Sequence, residues 1–372
     1  MLALKNYLIS SKKEHVEPTE NSSGVKKIMN FGLTIDDTSI IKGIAICLML
    51  WHHLFYQHSE YGWFVHQTAH FGKVCVSLFL FVSAYGLTVQ YGKVYEKPMV
   101  DTIKFQAKRF VKFYINYWII FLIFVPIGVF IFGRTLNIPY EGLKVIEAVV
   151  SDFLGINGLK SYNITWWFNQ LIICLYFLFP FLYFLAKKTP VLLLIVSVII
   201  WKFSLPILPT EVHNYLLVFS IGIIYTLNVN YISNLLNKIN IWLFFGMLSC
   251  SLFALFFVRQ YSIIPYFSGI RVDGFICLNI VFILVFIRRY IRKYGLFIFL
   301  GKHSINIYMV HTFIFYYFYG NFIYSFKYPI VIFLVLLVCS LGVSVVIEYL
   351  KKIVNIQDLV KNINQKIEKV RI

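Results

Sequence analysis

One apolar stretch of the chain carries ionisable side chains near both of its ends. Residues 38–56, TSIIKGIAICLMLWHHLFY, contain Lys42 near the start and His52 and His53 near the end. In a helix, Lys42 and His53 lie on one face, about 16 Å apart along the axis, and His52 points about 100° away. Ionisable groups in apolar segments are costly and usually functional. The pattern indicates a cation and a proton-accepting imidazole on one stripe.

A second apolar stretch carries a matching polar face. In LGKHSINIYMVHTF, the side chains of Ser304, Tyr308 and His311 recur at i, i+4 and i+7, which places them on one side of a helix. If both stretches cross a membrane from the same side, His53 and His311 lie about 21 and 22 Å from their starting ends. The matched depths predict that both histidines share one cavity, where an imidazole can act as a general base.

Structural roles explain each of these residues separately. A histidine can form hydrogen bonds between helices, and Lys42 can extend its ammonium group to the membrane interface. Ser304 and Ser83 are suitable helix-packing residues. Trp166 and Trp167 are typical interfacial aromatics. The functional interpretation depends on the coincidence of the two stripes.

The composition indicates an integral membrane protein. Of 372 residues, 59% are hydrophobic and 13% are charged, against about 25% charged residues in a typical soluble domain. The net charge of +18 does not indicate nucleic-acid binding, because the cations cluster in short segments between apolar runs. All six cysteines lie inside apolar runs, so we expect neither a disulfide framework nor a metal site.

The apolar runs predict an all-α polytopic bundle of about ten membrane spans. Each run has the length that a helix needs to cross ~30 Å of hydrocarbon. The predicted spans are 39–58, 71–91, 111–133, 167–186, 190–208, 212–228, 241–259, 271–288, 296–319 and 328–350.

Most of the 34 lysines and arginines lie in alternate connecting segments. The positive-inside rule then places both termini in the cytoplasm and the loop at about 134–166 outside. Three regions follow from this pattern: a polar cytoplasmic segment 1–38, a transmembrane domain 39–350 whose first span we expect to be uncleaved, and a basic amphipathic cytoplasmic tail 351–372 that would lie on membrane lipid.

Five short patterns, in order along the chain, resemble the acyltransferase-3 family of integral membrane acyltransferases that modify cell-surface carbohydrates. They cover about residues 36–350. The matching residues are Lys42 and His53; Phe79, Phe81 and Ser83; Lys108, Arg109 and Lys112; Trp167, Phe168, Tyr176 and Pro180; and Gly301, Lys302, Ser304, Tyr308 and His311. Two departures are Lys42, where the family usually has arginine, and Ser83-Ala84, where it has Ser-Gly.

The resemblance implies an O-acyltransferase of a bacterial cytoplasmic membrane. The acyl donor would be a cytoplasmic acyl-CoA, by default acetyl-CoA, and the acceptor a hydroxyl of an envelope glycan: capsule, exopolysaccharide or lipid-linked sugar. We expect His53 to be the general base, with His311, Ser304 and Tyr308 as further catalytic candidates. The candidate CoA-binding residues are Lys42, Lys108, Arg109, Lys112 and Ser83, and the candidate acceptor-binding residues are Trp167 and Tyr176.

Two other functions fit the same residues. A transporter, for example of a polysaccharide precursor or of a proton-coupled substrate, also contains buried His and Lys. However, no internal repeat is visible and few carboxylates lie within spans, although proton-coupled carriers usually use acidic relays. A non-catalytic sensor or scaffold of the same architecture is the third alternative. The oligomeric state stays open, with a homodimer as one option.

Overall fold

The computed structural model describes residues 30–135, 142–261, 269–288 and 294–370. In these ranges the chain forms helices and short helical turns, with no strand. The helices are α1 (Ile35–Phe55), α2 (Trp63–Gly72), α3 (Val74–Tyr91), α4 (Met99–Phe130), α5 (Leu143–Phe153), α6 (Trp167–Lys188), α7 (Pro190–Phe203), α8 (Thr210–Leu227), α9 (Val229–Leu236), α10 (Ile241–Tyr261), α11 (Asp273–Ile287), α12 (Gly295–Thr312), α13 (Gly320–Tyr324), α14 (Pro329–Ile353) and α15 (Ile356–Lys369).

Each of the ten predicted spans coincides with a helix in this order, so the all-α polytopic membrane fold is confirmed. By length and hydropathy, seven helical segments of the described ranges can cross a membrane, and the bent pair α8–α9 makes an eighth if it counts as one span. The 14-residue helix α7 is shorter than a full crossing. The polar side chains of α12, among them Lys302, His303 and Asn306, lower its hydropathy.

A capping box fixes the start of α1. The hydroxyl of Thr34 accepts a hydrogen bond from Asp37 N at 3.1 Å, and the carboxylate of Asp37 accepts one from Thr34 N at 2.7 Å. This reciprocal pair satisfies two backbone donors at the helix N-terminus. Asp37 also forms an ion pair with Arg288, next to the end of α11. The charge at the first turn therefore joins α1 to α11.

Two glycines allow α1 and α12 to approach closely. A methyl group at Gly43 would overlap the carbonyl oxygen of Phe297, and one at Gly301 would overlap the carbonyl oxygen of Ser39. Small residues let helix backbones pack at short distance in membrane proteins. The two helices that carry the polar stripes are therefore direct neighbours. Beyond His311, α12 continues as a π-helical segment, Phe313–Phe318, a feature that is frequent at functional sites.

The chain ends in a separate short helix. The predicted boundary at 350 falls within α14, which continues to Ile353, and α15 then begins at Ile356. The side chain of Lys104 donates to the backbone carbonyl of Glu368 at 2.9 Å, so α15 packs against α4. Its position on a membrane surface stays a prediction.

Candidate active site

The rings of His53 and His311 meet between α1 and α12. Their centroids lie 5.1 Å apart with an angle of 40° between the ring planes. His311 is fully buried, whereas His53 is partly exposed. Phe315 of the π-helical segment stacks on His311 at 6.0 Å. The matched depths of the two histidines predicted this contact. The partly exposed imidazole of His53 lies next to the enclosed imidazole of His311.

Each histidine has a defined orientation. His311 Nδ1 lies 2.7 Å from the carbonyl oxygen of Tyr308. A carbonyl only accepts, so Nδ1 must carry the proton in this bond. His311 Nε2 is buried and has no hydrogen-bonding partner among the described residues. His52 points away, as its place on the helix predicted: its Nδ1 lies 2.8 Å from Ala69 O, and its ring stacks on Tyr56.

The polar stripe of α12 is anchored to the segment that precedes α6. Tyr308 donates its hydroxyl hydrogen to the carbonyl oxygen of Thr165 at 2.7 Å. Ser304, one turn earlier, is buried on the same helix. The hydroxyl oxygen of Thr312, the residue after His311, lies 3.2 Å from the hydroxyl oxygen of Thr165. The loop before α6 therefore closes over the His311 end of α12.

Asn163 is the centre of this contact. Its Oδ1 accepts hydrogen bonds from the backbone N–H of Thr165 at 3.0 Å, from the Thr165 hydroxyl at 2.8 Å and from the Thr312 hydroxyl at 2.9 Å. The side chain is fully buried, and its Nδ2 has no hydrogen-bonding partner within the described part of the chain. We call Asn163, Thr165, Tyr308, His311 and Thr312 the asparagine cluster.

Asp152 at the end of α5 holds the loop that leads to this cluster. Its carboxylate accepts hydrogen bonds from Asn157 Nδ2 at 2.9 Å and from the backbone N–H of Tyr162 at 2.8 Å. Burial raises the pKa of Asp152, while these donors act in the opposite direction by stabilising the carboxylate. The hydrogen bond from Tyr162 N fixes the backbone directly before Asn163.

The opposite half of α1 faces a cluster of cations. Lys42 lies close enough to Lys112 and Arg109 of α4 for their positive charges to repel one another. None of the three forms an ion pair with a carboxylate in the ranges that the structure describes. Arg109 instead donates to the Gln90 side chain. We call Lys42, Arg109 and Lys112 the basic cluster; it can hold a polyanion.

Three other predicted site residues have different surroundings. Lys108 pairs with Glu368 of α15, so a carboxylate of the chain already neutralises it. Tyr176 interacts with Arg109 and therefore lies with the basic cluster rather than near Trp167. Trp167 stacks on Tyr215 with ring centroids 6.1 Å apart.

Ser83 is partly exposed on α3, and no hydrogen bond among the described residues joins it to the histidines or the basic cluster. The interfacial role expected for Trp166 is wrong. This residue is fully buried and donates its indole N–H to Met309 O at 3.3 Å, because the loop before α6 folds inward against α12.

Sequence patterns did not reveal the asparagine cluster. Asn163 and Thr165 lie in a loop, which has no helical periodicity from which to read a facing side. One local signal exists: an asparagine two residues before a threonine at a helix start is typical of a side-chain turn. That signal indicates the local hydrogen bond to Thr165 N but not the distant one to Thr312.

Comparison with known proteins identifies the family of the chain. No curated protein and no solved structure matches the chain. A family model described as an acyltransferase domain, Acyl_transf_3, matches residues 36–349, which include both histidines, the basic cluster and the asparagine cluster. The chain therefore belongs to the acyltransferase-3 family.

Proposed function

We propose that this membrane acyltransferase moves an acetyl group from cytoplasmic acetyl-CoA to a hydroxyl of an envelope glycan on the other side of a bacterial cytoplasmic membrane. One observation carries the proposal: α1 joins the basic cluster, which has no carboxylate partner among the described residues, to the meeting of His53 and His311 in its other half. About 16 Å of helix separates Lys42 from His53. The extended pantetheine arm of CoA suits such a separation between its phosphates and its thioester.

The basic cluster suits the phosphates of CoA. Three neighbouring cations without a carboxylate partner in the described ranges favour an anionic ligand, because phosphate oxygens accept strong charge-assisted hydrogen bonds from Lys and Arg. Three other cations differ, since Arg259, Arg288 and Lys351 each pair with a carboxylate of the chain. Lys108, which pairs with Glu368, has a lesser role in this proposal.

His53 suits the general base. Within the described residues its ring forms no hydrogen bond, and it is partly exposed, so a nitrogen is available to a substrate hydroxyl. The imidazole takes the hydroxyl proton as the oxygen attacks the thioester carbonyl carbon. A C–O bond forms, the C–S bond breaks with its electron pair on sulfur, and the proton passes from the imidazole to the thiolate. The products are the acetylated glycan and free CoA.

The carboxylates give little support to a proton-coupled carrier. Asp273 lies 2.6 Å from Arg259, and Glu348 lies 2.8 Å from Lys351. A carboxylate held by a cation in this way is a structural partner rather than a free proton-relay group. The acceptor glycan and the acetyl group rest on the family alone.

The test follows free CoA from acetyl-CoA with the purified protein in liposomes, with and without an envelope-glycan extract. We expect release to require the extract and His53→Ala to lower turnover at least 10²-fold, since a general base contributes ~10²–10⁴-fold. His52→Gln is the matched control: it can still donate to Ala69 O, and we expect turnover within about fivefold of the wild type.

Two results would contradict the proposal. Retention of more than a tenth of the turnover in His53→Ala would remove His53 from the role of base. Absence of any extract-dependent CoA release by the wild-type protein would favour the transporter, which a flux assay with labelled precursor in the same liposomes would then detect.

A further inference from the structure

The asparagine cluster contains two buried nitrogens with no partner in the described part of the chain. They are Asn163 Nδ2 and His311 Nε2, and both residues are fully enclosed. Thr312 connects them, because it follows His311 in the chain and donates to Asn163 Oδ1 at 2.9 Å. Buried polar atoms are usually paired with the protein, an ordered water or a ligand, so these two atoms provide hydrogen-bonding capacity that a ligand can use.

The orientation of the Asn163 amide follows from chemistry. The backbone N–H of Thr165 can only donate, so the atom that it meets at 3.0 Å must be the carbonyl oxygen of the amide. Both threonine hydroxyls contact the same oxygen. Three hydrogen bonds therefore hold Oδ1, and the NH₂ group is the free end of the side chain. It can donate hydrogen bonds but cannot accept any.

The two substrates of the proposed reaction need opposite partners. The attacking alcohol loses a proton and needs a base, which the histidines provide. The thioester carbonyl oxygen gains negative charge as the tetrahedral intermediate forms, and it needs a fixed donor in a water-poor site. A buried NH₂ group held by three hydrogen bonds is such a donor, because it pays no reorganisation cost during the reaction.

Resting on the proposed function, we infer that Asn163 is a catalytic residue whose Nδ2–H donates a hydrogen bond to the carbonyl oxygen of the acyl group as that oxygen becomes negatively charged. Thr165 and Thr312 are positioning residues that orient the amide. The ligand class of the asparagine cluster is therefore the acyl carbonyl of the thioester, next to the histidines that handle the proton.

Asn163→Asp removes the Nδ2 hydrogen-bond donor but keeps the oxygen to which Thr165 and Thr312 donate. Aspartate keeps the size of asparagine and an oxygen for the threonine hydrogen bonds, but it replaces the NH₂ group with oxygen. We expect kcat to fall about 10²–10³-fold, as for loss of one oxyanion donor, while KM for acetyl-CoA stays within about threefold. Asn169→Asp is the matched control, because Asn169 Nδ2 is also buried without a partner among the described residues, and the Cβ of Asn169 lies near Gly155 rather than in the cluster. We expect its turnover to stay within about threefold.

Thr312→Val distinguishes donation by the Asn163 NH₂ group from the structural support that Thr312 gives to the amide. It removes one hydrogen bond to Asn163 Oδ1 and leaves the NH₂ group in place, so we expect a loss of kcat below about tenfold. If Thr312→Val and Asn163→Asp lose kcat and melting temperature to the same extent, Asn163 has a structural role only and the inference is overturned. Turnover of Asn163→Asp equal to that of Asn169→Asp would also overturn the inference.

Two further outcomes remain interpretable. If Asn163→Asp does not reach the membrane, Asn163→Ser, with a shorter donor, replaces it; kcat should fall at least tenfold, and normal kcat would overturn the inference. If wild-type protein shows no CoA release that depends on His53, the proposed function itself fails and the inference fails with it. Normal His53 dependence with normal Asn163→Asp turnover affects the inference alone.

Discussion

The cations of the membrane helices differ in their partners. Arg259 forms a buried ion pair with Asp273, and removing one partner of such a pair leaves an uncompensated charge and is strongly destabilising. Lys351 pairs with the half-exposed Glu348 and also donates to Asn116 and Asn306, which joins α14 to α4 and α12. The basic cluster has no such partner among the described residues, so its charges are available to a ligand.

Lys42→Gln should weaken donor binding more than chemistry. A hydrogen bond to a charged group contributes about 1.5–3 kcal/mol, so we expect KM for acetyl-CoA to rise about tenfold or more, with kcat within threefold. Steady-state kinetics in liposomes measure both constants. Lys352→Gln, an exposed lysine at the end of α14, is the control and should change neither. A fall in kcat at constant KM would instead place Lys42 in the chemical step.

Helical geometry explains why the histidines were predictable and Asn163 was not. A rise of 1.5 Å per residue and 100° per residue fix the depth and the face of a side chain from its position in a span. His53 and His311 both lie in regular helix, and their rings meet at 5.1 Å. Asn163 lies in the loop before α6, where no repeat relates position to direction. Its partner Thr312 is 149 residues away in the chain.

At the scale of elements, the contact between α1 and α12 sets the distance between the histidines. Gly43 and Gly301 provide the close approach at one part of the interface, and the histidine rings fill another part. At each of these two glycines, the backbone of the other helix occupies the space that a side chain would otherwise fill. A wider separation of these two helices would move His311 away from His53 without any change in the site residues themselves.

Gly301→Ala should therefore impair the site through packing. The added methyl group would overlap the backbone of Ser39, and backbone atoms cannot rotate away. We expect kcat to fall more than tenfold and the melting temperature of the detergent-solubilised protein to fall. Gly342→Ala on α14 is the control, since no atom lies within 4 Å of its new methyl group. Normal activity in Gly301→Ala would mean that α12 adjusts without displacing His311.

The helices were predictable in their order better than in their ends, and seven or eight of the ten predicted spans meet the length and hydropathy of a crossing in the described ranges. The third span, predicted to begin at 111, begins at Met99 because the basic run before it continues the same helix. The second extends back to Trp63 through α2. The sixth is bent by 75° at Asn228, and the amphipathic helix α5 of the loop was not predicted. Hydropathy shows where a helix is apolar, but its polar ends depend on tertiary contacts.

At the scale of the whole molecule, the distribution of charge predicts the orientation in the membrane. Connecting segments that are rich in Lys and Arg alternate along the chain with segments that contain few of them. In membrane proteins the cytoplasmic loops carry the excess. The predicted orientation would put the basic cluster toward the cytoplasm, where acyl-CoA is made, and the loop that carries Asn163 toward the envelope. The proposed direction of acyl transfer depends on it.

Reporter fusions measure this orientation in a bacterial host. We expect alkaline phosphatase fused after Leu159 to be active, because it would be exported, and the same enzyme fused after Val370 to be inactive. A green fluorescent protein after Val370 should be fluorescent. The reverse pattern would place the basic cluster outside and contradict a cytoplasmic acyl donor.

The ion pair between Asp37 and Arg288 has a consequence for biosynthesis. These partners are 251 residues apart, and ribosomes add about 5–20 residues per second. The first helix is therefore complete roughly ten to fifty seconds before Arg288 is made. During that interval the Asp37 carboxylate has, among the described residues, only its capping partner Thr34, and His53 waits still longer for α12. The contact that joins α1 to α11 is therefore a late event in the synthesis of this chain.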